Sequence, residues 1–295
     1  MNLLETKNLT HVYGAGTPFE RTAVCNVNFT ASKAECIGII GATGSGKSTF
    51  AQHLNGLLKP TSGNVFFDGN DINMSKEFTK QARYKIGLVF QYPEYQLFES
   101  TVFEDIAFGP KNMGLSDSEI RERVFEAAGF VRLDESLLQK SPFELSGGQK
   151  RRAAIAGVMA MMPQVLILDE PTAGLDPRGC EDIIRNIMGY KEAIDATLII
   201  ITHNMDEIVK SIEKVYIFNN GKISEEGTPG KVFSDVTRLK ELGLAPPRIT
   251  MVAARLRALG LPVSDEILTV EQLRVALNSI KNNGLLRHDV PRKDG

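Results

Sequence analysis

Residues 36–49, CIGIIGATGSGKST, pass from a short apolar run into glycines, a lysine and two hydroxyls, and good helix formers follow to Leu54. From Gly41 to Ser48 the spacing is G-x-x-x-x-G-K-[ST], the pattern of a phosphate-binding loop set between a strand and a helix. The chemistry explains each position. Gly41, Gly44 and Gly46 let the backbone through Ala42, Thr43 and Ser45 curl until several N–H groups face one anion. A helix starting near Lys47 turns its positive dipole end to the same anion. Lys47 has the reach for β- and γ-phosphates, Ser48 carries a hydroxyl suited to Mg²⁺, and Thr49 ends the stretch. Such a strand, loop and helix predict an α/β fold with the loop at the edge of a sheet.

The chain has 295 residues, enough for one large domain with an appendage or for two small ones. Its 42% hydrophobic and 24% charged content argues against disorder for most of its length. Thirty-four basic and 36 acidic residues leave a net charge of -2, so no global basic field marks a nucleic-acid binder. Cys25, Cys36 and Cys180 lie far apart without C-x-x-C spacing, which argues against zinc and for reduced, mostly buried thiols in a cytosol. Glu5 and Lys7 fall where a secretion signal needs an apolar core. The longest uncharged run, 153–168, is too short to span a bilayer comfortably and is cut by Pro163. Work at a membrane is therefore expected to go through a partner.

Residues 2–13 and 21–30 read as strands around a GAGTP turn, which favours antiparallel pairing. Tyr13 ends the first strand, where its ring either packs or lies against a flat base. After the loop helix, strands are expected at 64–67 and 86–90, the second running into Gln91. That glutamine is a plain polar strand end or, at the carboxyl edge of a parallel sheet, a group for Mg²⁺ or water. Five aromatics, Tyr92, Tyr95, Phe98, Phe103 and Phe108, exceed what one short helix face needs. A partner groove and an ordinary subdomain core both fit them. Ser116 with Glu119 makes a capping box opening a helix to about residue 131, with a short helix at 134–139. In 141–152, SPFELSGGQKRR, the run Ser146-Gly147-Gly148 precedes a helical stretch, and hydroxyl, bare backbone and helix start make a second anion site.

An apolar strand at 165–168 ends on Asp169-Glu170. Such a pair can hold Mg²⁺ through water and deprotonate an attacking water, or merely cap a helix. The turn-rich residues from Pro171 to Pro177 disfavour the cap. A helix over about 177–193 leads to a strand at 197–201 that ends in Thr202-His203. A lone histidine is more often a surface or core residue, yet this one shares a strand-end edge with Gln91 and the acid pair. A hairpin at 214–218 and 222–227 turns on Asn219-Asn220-Gly221, and a short helix at about 229–235 follows. Beyond residue 236, Ile249, Val252, Leu256 and Leu259, then Leu273, Ala276, Leu277 and Ile280, recur at helical spacing. Thr269 and Gln272 form a capping box there, and the tail after Asn283 is expected to be loose.

The phosphate loop, Gln91, LSGGQ, acid pair and strand-end histidine, in that order, resemble the ABC-type ATPases over about residues 2–235. The resemblance implies a P-loop NTPase fold with a RecA-like core, an antiparallel β subdomain and a helical subdomain at about 92–162. It further implies a helical dimer-contact segment at 236–283 and a flexible tail at 284–295. Tyr13 would be the base-stacking aromatic, and residues 41–49 would hold the phosphates of ATP. Ser146, Gly147, Gly148 and Gln149 would be the signature that caps ATP across a dimer, and Asp176 the dimer-contacting D-loop residue. Ser48, Gln91 and Asp169 would serve Mg²⁺, Glu170 would be the general base, and Lys47 and His203 would complete the catalytic set.

Within that family, GTPFE (16–20), QHLNGLLKPTSG (52–63), FQYPEYQLFE (90–99), FGPKN (108–112) and EPTAGLDPRG (170–179) are similar to energy-coupling-factor transporter ATPases, nearest the second of their paired subunits. This implies an importer of a vitamin or transition-metal ion, with the chain peripheral at the cytoplasmic face of the cell membrane. Its partners would be a second ATPase subunit, a transmembrane coupling protein and a substrate-binding membrane subunit. The second ATPase would be a paralogue, with a homodimer as the other option, and residues 93–113 would receive the coupling protein's helices. An ordinary ABC importer ATPase is the nearest alternative. A soluble ABC protein acting on DNA or ribosomes would favour two cassettes or long coiled-coil insertions, and neither is present. LSGGQ and the acid pair disfavour a small-molecule kinase.

Overall fold

In the computed structural model, which describes residues 2–282, strand β3 (Cys36–Gly41) is buried at every position. An unbroken apolar strand of this kind needs cover on both faces. It pairs in parallel with β8 (Thr197–Ile201) on one side and β9 (Lys214–Asn219) on the other. Beyond β8 lie β7 (Val165–Asp169) and β6 (Ile86–Val89), also parallel, and β10 (Lys222–Gly227) closes the far edge antiparallel to β9. The order is β10-β9-β3-β8-β7-β6.

Successive side chains on a strand point to opposite faces, so this sheet separates two cores. On one face Ile37, Ile39, Ile167, Ile199 and Ile201 pack against helix α1 (Lys47–Leu54) and a second sheet. That sheet, in the order β2-β1-β4-β5, is antiparallel and built from β1 (Asn2–Tyr13), β2 (Arg21–Ser32), β4 (Ser62–Phe67) and the short β5 (Asn70–Asp71). On the other face Ile40, Leu166, Leu168, Leu198 and Ile200 share a core with the helical insert. The insert comprises α3 (Val102–Asn112), α4 (Asp117–Phe130) and α5 (Gly147–Met159), and α6 (Pro177–Ile194) joins the same core. After α7 (Met205–Ile208), α8 (Pro229–Ser234) and α9 (Val236–Glu241), helices α10 (Arg248–Ala258) and α11 (Val270–Asn282) enclose a small core of their own around Ala253, Val263, Leu273 and Ile280.

The strands expected at 2–13 and 197–201 have those bounds, and both capping boxes form, at Ser116/Glu119 and at Thr269/Gln272. Helix α2 (Lys76–Lys85) lacked an apolar stripe to announce it, since Ala82 is its only buried residue. The helix expected at 134–139 is a single 3₁₀ turn, Glu135–Leu137, capped by the Asp134 carboxylate accepting from the Ser136 N–H at 2.9 Å. The tail expected to be loose lies outside the described residues.

His53 of α1 is buried among apolar groups beside His11 of β1, and its ring nitrogens have no hydrogen-bond partner among the described residues. Burial, then the neighbouring His11, push its pKa down to about 4, with the Leu58 backbone weakly opposing them. The unfolded chain binds this proton near pH 6.5, so acid favours the unfolded state. Stability is complete above about pH 6.5 and falls as pH drops toward about 4, by roughly 3 kcal/mol in total. Chemical denaturation across that range should show His53→Phe losing this part of the acid slope. An unchanged slope would mean that the imidazole is not held neutral.

Candidate functional site

The phosphate loop leaves β3 at Gly41 and enters α1 through Gly46. A Cβ on Gly41 would lie 2.3 Å from the Phe218 carbonyl oxygen, and Gly46, at φ 105°, would place one 2.3 Å from that of Ala23. Both positions therefore admit only glycine, and the loop packs hard against β9 and β2. No side chain caps the first turn of α1, which leaves its N–H groups as donors for an anion. Lys47 is buried, and its Nζ donates to the carbonyls of Gly41 at 2.7 Å and Ala42 at 3.0 Å. Burial pushes its pKa down against the pull of Glu170 and Asp169. Asp169, also buried, is pushed up chiefly by desolvation, against a hydrogen bond from Ser48.

Strand register assembles the rest. Ile39 and Asp169 both pair with Ile201, so β3, β8 and β7 end level with one another. Glu170 turns off β7 in the left-handed conformation at φ 51°, which costs about 1–2 kcal/mol for a residue with a side chain. Its bonds offset this. The N–H of Glu170 donates to the Ile201 carbonyl at 2.8 Å, and Oε1 accepts from the His203 N–H at 3.1 Å. The His203 ring Nδ1 meets the same Oε1 at 2.7 Å while the ring stays largely in solvent. Val89 pairs with Leu168, so Gln91, two residues beyond β6, leaves the sheet at the same edge as Asp169 and Glu170. It is exposed and without a hydrogen bond among the described residues.

Tyr13 borders a cleft of about 180 Å³ that also takes in Gly44, Lys47, Ser48 and Thr49, and its Oη lies 3.3 Å from Thr49 Oγ1. Arg21 lines the same cleft. Nothing local to Arg21 marks it, because the turn that returns β2 alongside β1 is what brings it to the loop. A second residue that motif reading missed is Arg151 of α5. It is buried and forks onto Glu94, Nε to Oε2 at 3.0 Å and Nη2 to Oε1 at 2.7 Å, while Nη1 donates to the Ala173 carbonyl at 2.6 Å. It thus ties α5 to the turn after Gln91 and to the turn after Glu170. Its place on the buried stripe Arg151, Ile155, Met159 was a readable signal.

The predicted site residues separate into two groups. Tyr13, residues 41–49, Gln91, Asp169, Glu170 and His203 gather at the carboxyl edge of the sheet. Ser146, Gly147, Gly148 and Gln149 do not line the cleft. Ser146 caps α5 in a reciprocal box with Gln149, its N–H donating to Gln149 Oε1 at 2.9 Å, and both glycines are exposed with open space beside them. Asp176 likewise lies off the cleft and caps α6, accepting from the Gly179 N–H at 2.7 Å.

A parallel sheet with this loop, an acid pair two strands over and a histidine bonded to the second acid defines a P-loop ATPase. The glycine-rich start of α5 gives it the stamp of an ATP-binding cassette. Residues 24–173 match the ABC transporter family. The energy-coupling factor transporter ATP-binding protein EcfA2 of Caldanaerobacter subterraneus is 49% identical over 92% of this chain and 95% of its own. Its namesake in Streptococcus pyogenes is 45% identical over 93% and 98%. Among solved structures, cbiO1 from Clostridium perfringens, described as part of the ABC transporter complex cbiONQ, is 39% identical with a TM-score of 0.72 over 84% of this chain and 97% of that one. A dimeric post-hydrolysis state of the cassette MJ0796 with ADP and Pi is 30% identical, with a TM-score of 0.69 over 77% and 98%. The chain belongs to the ABC transporter ATPases and, within them, to the energy-coupling factor ATP-binding proteins.

Burial acts to raise the pKa of Glu94, but the Arg151 guanidinium more than reverses this and holds it below the usual range. Arg151→Ala leaves the half-buried Glu94 without its cation and should lower stability by roughly 1.5–3 kcal/mol in denaturant unfolding. Arg151→Lys, which keeps charge but not the fork, should recover only part of the loss.

Proposed function

We propose that this chain is one of two ATPase subunits in an energy-coupling-factor importer, and that ATP-driven closure of the pair powers uptake of a vitamin or transition-metal ion. One observation carries the reading. The phosphate cleft and the exposed Ser146–Gln149 helix start are separate in a single chain, so each can complete the other only across two chains.

In this reading Tyr13 stacks on the base and the loop N–H groups hold the phosphates. Lys47 exchanges the carbonyls of Gly41 and Ala42 for phosphate oxygens, which restores a full counter-charge to a buried ammonium. Ser48 and Asp169, oxygen donors already joined by a hydrogen bond, suit Mg²⁺, which keeps waters and phosphate oxygens as its other ligands. With Gln91 they would hold the ion, and it would neutralise charge on the β- and γ-phosphates. Glu170 accepts the proton of the attacking water. His203 fixes that carboxylate at 2.7 Å and, being exposed, can reach the γ-phosphate as the dimer closes. The second subunit's signature caps the phosphates, and Asp176 faces the dimer seam. ATP favours the closed pair because both chains contact its γ-phosphate, and hydrolysis removes that difference.

The reading extends to the membrane partner. A groove of about 360 Å³ runs between the sheet core and the helical insert, lined by Tyr84, Leu88, Phe98, Phe108 and Met161. Phe98 and Phe108 meet edge to face at 5.1 Å and remain about half exposed, as a site for another protein's helix requires. Phe103 instead packs on the insert's own core. No described helix is long and apolar enough to cross a membrane, which fits a peripheral subunit at the cytoplasmic face. Exposed Val252, Leu259, Val270 and Val275 on the last helices and their connection support a dimer-contact role for 236–283.

Glu170→Gln should leave ATP binding intact and slow turnover by about 10²–10⁴-fold, with ATP-dependent dimers persisting in light scattering. Near-normal turnover would remove Glu170 from its role. Phe98→Asp with Phe108→Asp should keep nucleotide binding and abolish both uptake and co-purification with the membrane subunits. Unchanged uptake would exclude the groove.

A further inference from the structure

His11 and His53 are buried imidazoles whose four ring nitrogens have no hydrogen-bond partner among the described residues. The hydrolytic mechanism uses neither of them. Orphaned buried nitrogens are rare and unfavourable, and a site that needed only filling would be better served by leucine or phenylalanine. The two rings meet at 4.7 Å between centroids with a 58° tilt. His11 also meets the Tyr13 ring edge-on, at 4.4 Å and 79°. Tyr13 in turn places its hydroxyl 3.3 Å from that of Thr49.

These contacts join one strand to one helix at two points. His11 and Tyr13 are two apart on β1 and share its inner face, and Thr49 and His53 are four apart on α1 and share one helix face. Three side-chain contacts, His53 to His11, His11 to Tyr13 and Tyr13 to Thr49, therefore run from α1 to β1 and back to α1. Two of the side chains come from the strand that presents the tyrosine, and two from the helix that begins in the phosphate loop.

We propose that His11 and His53 are positioning residues that fix the Tyr13 ring to the phosphate-loop helix, so that base stacking and phosphate binding act as one unit. The proposal rests on the reading of Tyr13 as the base contact. Its physical content is a coupling. A tyrosine on a loose strand end would have to be ordered by the base itself, whereas a ring already clamped between β1 and α1 meets the base preorganised. The affinity of ATP beyond that of its phosphates alone then depends on the histidine pair.

The test compares equilibrium binding of ATP and of inorganic tripolyphosphate, which has no base, by the full chain. His11→Ala should weaken ATP binding about fivefold while changing tripolyphosphate binding less than about twofold. His11→Phe, which keeps a flat ring edge against Tyr13, should bind ATP like the parent. In a Tyr13→Ala background, His11→Ala should add no further loss. If His11→Ala does not fold, His53→Leu, which removes the support behind His11, must shift the ATP-to-tripolyphosphate ratio in the same direction. Equal loss of both ligands, no loss of either, or full additivity with Tyr13→Ala would overturn the coupling. A Tyr13→Ala variant with an unchanged ratio would instead show that Tyr13 is not the base contact.

Discussion

Lys47 and Asp169 are both buried at one edge of the parallel sheet, and no ion pair joins them. Each is held apart by smaller neighbours, the ammonium on two loop carbonyls and the carboxylate on the Ser48 hydroxyl. Desolvation disfavours the charged form of both, lowering one pKa and raising the other. In the proposed function a triphosphate with a divalent cation would supply what each lacks, an anion for the lysine and a cation for the aspartate. The fold around them keeps this incomplete pair in place. The sheet register levels the strand ends, and glycines at 41 and 46 bring the loop within reach of β9 and β2.

Glu170 and Arg151 carry that constraint outward. The strained backbone of Glu170, its N–H bonded to the Ile201 carbonyl, aims the carboxylate at the edge, where His203 holds it. Arg151 then links three segments: the glycine-rich start of α5, the turn after Gln91 and the turn after Glu170. The groove bounded by Phe98 and Phe108 adjoins that same α5. The turns beside the phosphate cleft therefore have a packed, charged connection to the groove proposed above for a membrane partner. A rigid element that both sites bias is what such coupling requires.

Much of this was legible from local rules. The phosphate loop, the apolar strand ending in Asp169-Glu170 and the strand ending at His203 each carry their signal within a few residues. Capping boxes likewise located the starts of α4 and α11. Arg21 and the His11–His53 pair could not be read this way, since Arg21 reaches the loop through the pairing of β2 with β1 and the two histidines meet through the packing of β1 on α1. Phe103 and Phe98 are chemically alike in the same stretch, yet one packs into the core and the other lines the groove. Phe98 lies ahead of α3 and Phe103 within it, so only the way the whole stretch packs against α5 separates them.

The sequence alone determined the chemistry: which residues can hold phosphate, which can take a proton, and that the fold is a parallel sheet with its polar groups at strand ends. Those properties depend on residue type and spacing within one strand, loop or helix start. The tertiary structure decided which of these groups share a site. It brought Lys47, Asp169, Glu170 and His203 to one sheet edge and left Ser146–Gln149 off the cleft. The cause is physical. Strand order and register are set by how two buried faces pack, and that information is spread over the whole core rather than written beside any one residue.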